Sequence, residues 1–153
     1  MDALEAIMTR RSIRRYTDQP IQPETVEALL GAAMAAPSAG NQQPWHFIVI
    51  EERDALRRLA EIHEYAHMAP GSSLAVVVCA ATEGLKHPGY WQQDCAAAVQ
   101  NLLLAIHASD LGAVWCGVFP KEHRVKAFKE EFALPDGVEP MALVVVGHPA
   151  EHK

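Results

Sequence analysis

The pattern of apolar and polar positions predicts nine secondary-structure elements along the chain. Five segments repeat their apolar residues every three or four positions, which is typical of helices, and four short apolar runs rich in β-branched residues indicate strands. The predicted helices cover residues 2–10, 23–36, 53–66, 92–109 and 121–132. The predicted strands cover residues 45–51, 73–81, 111–119 and 140–149.

Turn-forming residues set the boundaries of these elements. Pro23 begins the second helix, and Pro37 ends it because a residue that precedes proline avoids the helical region. The "PSAGNQQP" segment that follows, residues 37–44, is predicted to be a loop. Residues 12–21 are predicted to be extended, and Pro70 and Gly71 are predicted to end the third helix.

The order of the elements indicates one layered domain. Helices alternate with strands after the second helix, which favours an α/β or α+β fold around one central sheet. The 153 residues are enough for a single domain with its own core, spanning residues 1–153. No glycine-rich turn follows a predicted strand, so a Rossmann dinucleotide site is not expected.

Charge and cysteine content narrow the possible functions. The net charge is −6, which argues against a nucleic-acid or anionic-membrane surface, although four arginines lie within residues 10–15. The three cysteines form no C-x-x-C pair and lie in apolar stretches, so we expect reduced, structural thiols and a cytoplasmic protein. The amino terminus does not read as a signal peptide, and the apolar runs are too short to cross a membrane.

The segment "HEYAH", residues 63–67, matches the H-E-x-x-H pattern of zinc proteases. A zinc hydrolase would use His63 and His67 as ligands and Glu64 as the general base. The context does not favour this function, because Pro70 and Gly71 end the helix soon afterwards and no third ligand follows at the usual spacing. We therefore keep the zinc site as an alternative, with surface histidines as the simpler interpretation.

Three other segments suggest a different chemistry. In "RRSIRRY", Arg10, Ser12 and Arg14 alternate along an extended stretch, so their side chains can share one side and bind a phosphate. The amides of the 37–44 loop can bond the polar edge of a flat ring. Gly117, inside a predicted strand, indicates either a close approach of backbone to a ligand or a bulge.

Together, these segments resemble the nitroreductase family of FMN-dependent oxidoreductases. The resemblance covers nearly the whole chain and depends on three stretches in family order: "RRSIRRY", "APSAGNQQPWHFIVI" and "DCAAAVQNLLLAIHASDLGAVWCGVF". It implies an α+β fold, with a central, mainly antiparallel or mixed sheet flanked by helices. It also implies a homodimer that binds FMN at each subunit boundary, with the helix from Gln92 forming much of the interface.

The resemblance assigns roles to individual positions. Arg10 and Ser12 would hold the phosphate with help from Arg11, and Arg14 would reach the flavin ring or ribityl chain. The partner subunit would contribute Pro37, Ser38, Ala39 and Asn41. The strand residues Val114, Trp115, Cys116 and Gly117 would lie beside the ring, with a backbone N–H near Cys116 directed at flavin N5. Family members usually continue with basic residues that contact the phosphate; here Lys153 and His152 are the candidates, so we expect a weaker clamp.

The implied reaction is ping-pong hydride transfer from NADH or NADPH, through flavin N5, to a nitroaromatic, a quinone or a similar small acceptor. The flavin carries this chemistry, so no catalytic side chain is assigned. One alternative is a related dehydrogenase or dehalogenase that uses the same pocket. Another is a flavin-binding or regulatory dimer without turnover. The expected partners are a second copy and a small-molecule substrate, with no nucleic acid and no membrane.

Overall fold

A computed structural model describes all residues from 1 to 153 and contains each of the nine predicted elements. The five helices are α1 (Ala3–Thr9), α2 (Pro23–Met34), α3 (Arg53–Ile62), α4 (Trp91–Ala108) and α5 (Glu122–Glu131). The four strands are β1 (Trp45–Ile50), β2 (Leu74–Ala81), β3 (Gly112–Gly117) and β4 (Val138–Gly147). No helix combines the length and the apolar character needed to cross a membrane.

The strands form one sheet in the order β1-β2-β4-β3, and every pair is antiparallel. This confirms the predicted α+β class and narrows the expected mixed or antiparallel sheet to a fully antiparallel one. The two central strands, β2 and β4, are almost entirely buried because helices cover both faces of the sheet. This explains why both read as continuous apolar runs rather than as alternating patterns. β1 and β3 are the edge strands.

Each face of the sheet carries its own apolar core. Val76 and Val78 point to the face covered by α2 and α4, whereas Val77 points to the face covered by α3 and α5. This follows from the two-residue period of a strand. On the second face, Leu56 and Phe128 are fully buried. The fold therefore presents β3, at one edge, with a helix layer on either side.

The third helix is shorter than predicted. It ends at Ile62 rather than at residue 66, and His63 already has extended backbone angles, with φ −140° and ψ 115°. The helical prediction failed here because the side chain of His63 turns into the core, where it is only 1% exposed. The HEYAH segment therefore lies in a loop and not on a helix.

One apolar surface is left uncovered by the chain. On α1, Leu4 and Met8 are 75% and 71% exposed, and Ala6 is the only buried residue of the helix. Beside it lies an apolar groove of about 370 Å³. We call this the α1 surface; besides α1 it includes Ala32, Ala35, Leu104, Ala105 and Ala108. Exposed apolar patches of this kind are typical of protein–protein contacts.

Candidate functional site

The "RRSIRRY" segment crosses the end of the sheet where β3 begins and β4 ends. The Ile13 N–H donates to the Ala113 carbonyl at 2.9 Å. Gly112 and Gly147, which face each other across β3 and β4, make room for the segment. A Cβ on Gly112 would lie 2.8 Å from the Ile13 side chain, and one on Gly147 would lie 2.8 Å from the Tyr16 ring. The two glycines therefore seat the arginine segment on the sheet.

The last six residues of the chain run alongside this segment. The Thr17 N–H donates to the His148 carbonyl at 2.9 Å, and the Ala150 N–H donates to the Arg15 carbonyl at 2.8 Å. The Lys153 ammonium donates to the Ser12 carbonyl at 2.9 Å. The same ammonium is paired with the Glu151 carboxylate at 3.2 Å, and Glu151 also accepts the Arg14 backbone N–H at 2.7 Å. The role of Lys153 at a phosphate stays a prediction.

The arginines of the segment have different environments. The Arg11 guanidinium turns back and donates to the carbonyls of Met8 and Arg10, both at 2.9 Å, so it caps the end of α1. The side chains of Arg10 and Arg14 and the hydroxyl of Ser12 have no hydrogen-bond partner in the chain. Three donors at alternating positions are therefore left free, whereas the Arg11 side chain is occupied.

Cys116 links the arginine segment to β3. Burial raises the pKa of the Cys116 thiol to about 11, and the charges of Arg14 and Arg124 act in the opposite direction. The parallel bridge between Ser12 and Ala113 places the arginine segment at the start of the same strand. Two of the three segments that the sequence singled out, the arginine stretch and β3, are brought together by the fold.

The outer edge of β3 offers free backbone N–H groups. Antiparallel pairing directs alternate residues toward and away from the partner strand. The Ala113 carbonyl points away from β4, because it accepts from Ile13, so the N–H groups of Trp115 and Gly117 also point away. The N–H of Cys116 itself faces β4. The free N–H nearest Cys116 is therefore that of Gly117.

The surroundings of Gly117 bear on both interpretations of this glycine. Its own pairing with Ala142 continues the regular register, but the next two N–H groups, of Val118 and Phe119, both donate to the Met141 carbonyl, at 3.2 and 3.1 Å, which is the two-to-one pairing of a bulge. A Cβ on Gly117 would meet no atom within 4 Å, so open space lies beside the strand. The open space leaves room for a ligand to approach the backbone of Gly117, next to this bulge.

The 37–44 loop lies against the first turn of α4, where Asp94 holds it. Asp94, a carboxylate only 4% exposed, accepts the Ala39 N–H and the Gln42 side-chain amide, both at 2.8 Å. The Gln42 amide also pairs with both backbone groups of His87, at 3.0 and 3.1 Å. The loop residues Pro37, Ser38, Ala39 and Asn41 are half-buried or exposed. They are thus available at the surface of a rigidly held loop.

Asp94 is not near the arginine segment of the same chain. That segment follows Thr9, whose hydroxyl accepts a 2.8 Å hydrogen bond from His107, near the end of α4. Thirteen residues of helix separate Asp94 from His107, which corresponds to roughly 20 Å at 1.5 Å per residue. One chain therefore does not bring its own loop and its own arginine segment together.

The zinc alternative is not supported by the positions of its three residues. His63 is buried and its ring lies 2.8 Å from the Gly117 carbonyl, whereas Glu64 accepts from Arg124 and His67 is exposed. No group of three metal-binding side chains converges anywhere in the chain. The interpretation of His63 as a surface histidine is also wrong.

Sequence reasoning missed several residues that organise the site. Asp94 carried a usable signal, since it is a lone acid on the apolar face of a helix that also presents Trp91 and Cys95 to the core. Arg124, which donates to the Gly117 carbonyl at 2.9 Å, and Glu151, which accepts the Arg14 backbone N–H at 2.7 Å, carried none. Their partners are distant in the sequence, and each looks like an ordinary surface charge.

The comparisons with known proteins agree with this geometry. The model of the nitroreductase family matches residues 7–72 and 73–148. The chain belongs to the nitroreductase family. A curated "Putative NADH dehydrogenase/NAD(P)H nitroreductase" of Methanothermobacter thermautotrophicus is 46% identical over 152 residues, covering 99% of this chain and 80% of that protein.

Solved structures of other nitroreductase-family proteins share the fold of this chain. A "Putative NADH Oxidase" of Clostridium acetobutylicum superimposes with a TM-score of 0.94 and 45% identity, covering 97% of this chain and 89% of that one. A "putative nitroreductase in complex with fmn" from Desulfovibrio desulfuricans superimposes with a TM-score of 0.86 and 37% identity, covering 99% and 88%. The fold of this chain is therefore the nitroreductase fold.

Replacing Asp94 with asparagine is expected to destabilise the protein by about 1–3 kcal/mol, the cost of leaving a buried polar group unsatisfied. The asparagine keeps one oxygen for the Ala39 N–H but places an NH₂ group against the Gln42 amide. Urea denaturation would measure the loss. Asp54→Asn, at an exposed ion pair on α3, is the matched control and should change stability by less than about 1 kcal/mol. Equal stability of Asp94→Asn and wild type would contradict the role of the Asp94 carboxylate in holding the 37–44 loop.

The three cysteines are expected to be unreactive in the native protein. Burial raises the pKa of Cys79 and Cys95 to about 12 and that of Cys116 to about 11, so none is a thiolate at neutral pH. A disulfide reagent should label none of the three thiols in native protein at pH 8, and all three in concentrated guanidinium. Because these pKa values are raised, stability should fall as the pH rises above the ordinary value of 9.0. A fast-reacting thiol in the native protein would be the contrary result.

Proposed function

We propose that this chain binds FMN and uses it to transfer reducing equivalents from NADH or NADPH to a small oxidised acceptor such as a nitroaromatic or a quinone. The observation that carries the proposal is the free donor set of Arg10, Ser12 and Arg14 beside the free edge of β3. Membership of the nitroreductase family, and the FMN complex of the Desulfovibrio relative, support it.

The donors fit the chemistry of the cofactor. A phosphate group carries about two negative charges and accepts bidentate hydrogen bonds from guanidinium groups. Arg10 and the Ser12 hydroxyl would hold it. Lys153 lies 2.9 Å from the Ser12 carbonyl but is paired with Glu151 at 3.2 Å, so it would have to leave that carboxylate to contact the phosphate. The Arg11 side chain would contribute little, because it caps α1. Arg14, further along the segment, would reach the ring, as the family resemblance implies.

The edge of β3 would hold the ring by its backbone. The side chains of Val114 and Cys116 are buried in the core, so they would not contact the ring and would contribute only by shaping the strand. The N–H groups of Trp115 and Gly117 face outward, and the Gly117 N–H is the donor that would be directed at flavin N5. Open space beside Gly117 lets a flat ring come close. When bound, FMN would supply the two-electron chemistry, in a ping-pong exchange between donor and acceptor.

The protein's own contribution would be binding, orientation and electrostatics. Arg14 would place positive charge near the ring, where it favours the more negatively charged reduced form. No side-chain acid, base or nucleophile is needed, and the Cys116 thiol, with its raised pKa, would remain protonated.

The same proposal includes a homodimer. The 37–44 loop and the arginine segment lie at opposite ends of α4, so only a second copy could bring a loop to the arginines. The α1 surface supplies an uncovered apolar face for that contact, and α4 contributes Leu104, Ala105 and Ala108 to it. The loop of the partner would then cover the ring and exclude water.

The test of this function is spectroscopic and kinetic. We expect purified protein titrated with FMN to give the absorption bands of bound flavin with one FMN per chain. Added NADH or NADPH should bleach those bands without oxygen, and a nitroaromatic or quinone should restore them. Failure to bind FMN would end the proposal. Binding without reduction by either nucleotide would favour the flavin-binding or regulatory dimer instead.

A further inference from the structure

The HEYAH segment, which forms no zinc site, has its functional groups gathered at one point on β3. The backbone N–H of His63 caps the last turn of α3 by donating to the Leu59 carbonyl at 3.1 Å. The ring then turns inward and packs edge-on against Phe128, with ring centroids 6.1 Å apart. A fully buried imidazole held this way has a fixed direction in the fold.

Both ring nitrogens of His63 have partners. Nδ1 accepts the Tyr65 N–H at 3.1 Å, so the ring proton of the neutral form must be on Nε2. Nε2 therefore donates to the Gly117 carbonyl at 2.8 Å. Burial lowers the pKa of His63, which favours this neutral form at physiological pH.

The same carbonyl accepts a second, charged donor. Arg124 Nη1 lies 2.9 Å from the Gly117 oxygen. The remaining nitrogens of the guanidinium, Nε and Nη2, donate to Glu64 at 3.1 and 2.6 Å, and the group lies 5.3 Å from the Tyr65 ring centroid. Three consecutive residues of the HEYAH segment thus hold Gly117, either directly or through Arg124.

Gly117 needs such a restraint more than other residues of β3. A glycine has the widest range of backbone angles, and this one has no side chain to pack. It is the last residue of β3, and the space around its missing Cβ is open. Two donors on its carbonyl hold the peptide plane that follows Gly117. They thereby limit rotation about φ and ψ of Gly117, and so set the direction of its outward N–H.

We propose that His63 and Arg124 are positioning residues for the cofactor: together they fix the Gly117 backbone so that its free N–H is aimed at the ring of bound FMN. The inference rests on the proposed function, because the direction of this N–H matters to a ligand only if FMN lies at the edge of β3. It extends that function to residues that do not touch the cofactor.

The experiment compares three variants by NMR and by FMN binding. His63→Phe removes the donor while keeping an aromatic ring, and Arg124→Met removes the charged donor from a largely covered position. Arg58→Met is the control, since Arg58, although more exposed than Arg124, also joins two elements by an ion pair, from α3 to Glu131 at the end of α5, and that pair does not reach Gly117. In a fourth variant, His63→Gln, the amide can still donate to the Gly117 carbonyl.

In wild type, the Gly117 amide proton should shift downfield on addition of FMN. In His63→Phe and Arg124→Met, that shift should be reduced and the Kd for FMN raised about tenfold, the effect of losing one hydrogen bond. The kcat should fall while the KM for NADH stays near the wild-type value. His63→Gln should recover most of the shift, and Arg58→Met should match wild type.

The possible failures are distinguishable. If wild type binds FMN but His63→Phe and Arg124→Met give the wild-type shift and Kd, the positioning role is wrong and the proposed function stands. If wild type binds no FMN, both are wrong. If His63→Phe does not fold, Arg124→Met alone decides, because Arg124, although largely covered, is not part of the apolar core.

Discussion

Replacing Arg10 and Arg14 together with glutamine is expected to give a folded protein that no longer retains FMN. Neither guanidinium has a hydrogen-bond partner in the chain, so their loss should hardly change stability. Each hydrogen bond to a charged group contributes about 1.5–3 kcal/mol. Losing both should therefore weaken FMN binding by more than about a hundredfold, since each 1.4 kcal/mol is tenfold.

Fluorescence titration with FMN would measure the change, with thermal unfolding as the check on folding. Riboflavin, which lacks the phosphate, should bind wild type far more weakly than FMN does. The control variant is Arg57→Gln, whose guanidinium pairs only with Asp54 on the exposed side of α3. A double variant that binds FMN as tightly as wild type would remove the arginine segment from the site.

Arg11 gives this experiment its sharpest contrast. The sequence places four arginines in one stretch and cannot tell which side chains are free to bind a ligand. Because the Arg11 guanidinium caps α1, Arg11→Gln should cost about 0.3–1 kcal/mol of stability, the usual effect of a cation at a helix end. Its Kd for FMN should change by less than about threefold, since this guanidinium is already held by the Met8 and Arg10 carbonyls.

Local patterns predicted the elements of this fold because most segments obey one period throughout. β2 and β4 read as buried strands, and α2 carries its proline start and stop in the sequence. The end of α3 was wrong because "HEYA" is compatible with a helix. What ends the helix is the contact of His63 with Gly117, 54 positions away. A contact at that distance leaves no trace in a local pattern.

The candidate site was predictable to the same extent and for the same reason. The alternation of Arg10, Ser12 and Arg14 is local and could be read directly. The partners of Gly117, the Asp94 anchor of the loop and the seat formed by Gly112 and Gly147 depend on the antiparallel register, which the sequence alone does not give. Only the resemblance to the family predicts that the loop and the arginines of one site come from different subunits.

A mixture of two inactive variants is expected to regain FMN binding if each site is shared between subunits. The first variant is Arg10→Gln/Arg14→Gln. The second, Pro37→Glu/Asn41→Asp, places carboxylates on two exposed positions of the loop, where they would repel the cofactor. Asparagine and aspartate both tolerate the left-handed backbone of position 41, where φ is 52°, so the loop should keep its shape.

The two variants would carry different affinity tags and be produced in the same cells, so that heterodimers can be isolated by two purification steps. Each heterodimer should bind one FMN per two chains, because one of its sites combines both undamaged halves and the other combines both damaged halves. In the unfractionated mixture about half of the dimers are mixed, so about a quarter of the sites should be active. Differently tagged copies of the first variant alone form the control and should bind none.

The stoichiometry of the heterodimer decides between the two ways of building the site. If the loop and the arginines of one chain formed a site together, each site of a heterodimer would carry one lesion, and neither would bind FMN. The length of α4 argues against that arrangement, since it holds the Asp94 anchor of the loop and the Thr9 contact at opposite ends. One FMN per heterodimer therefore requires that the partner's loop reach the arginine segment, with the α1 surface as the expected contact between the copies.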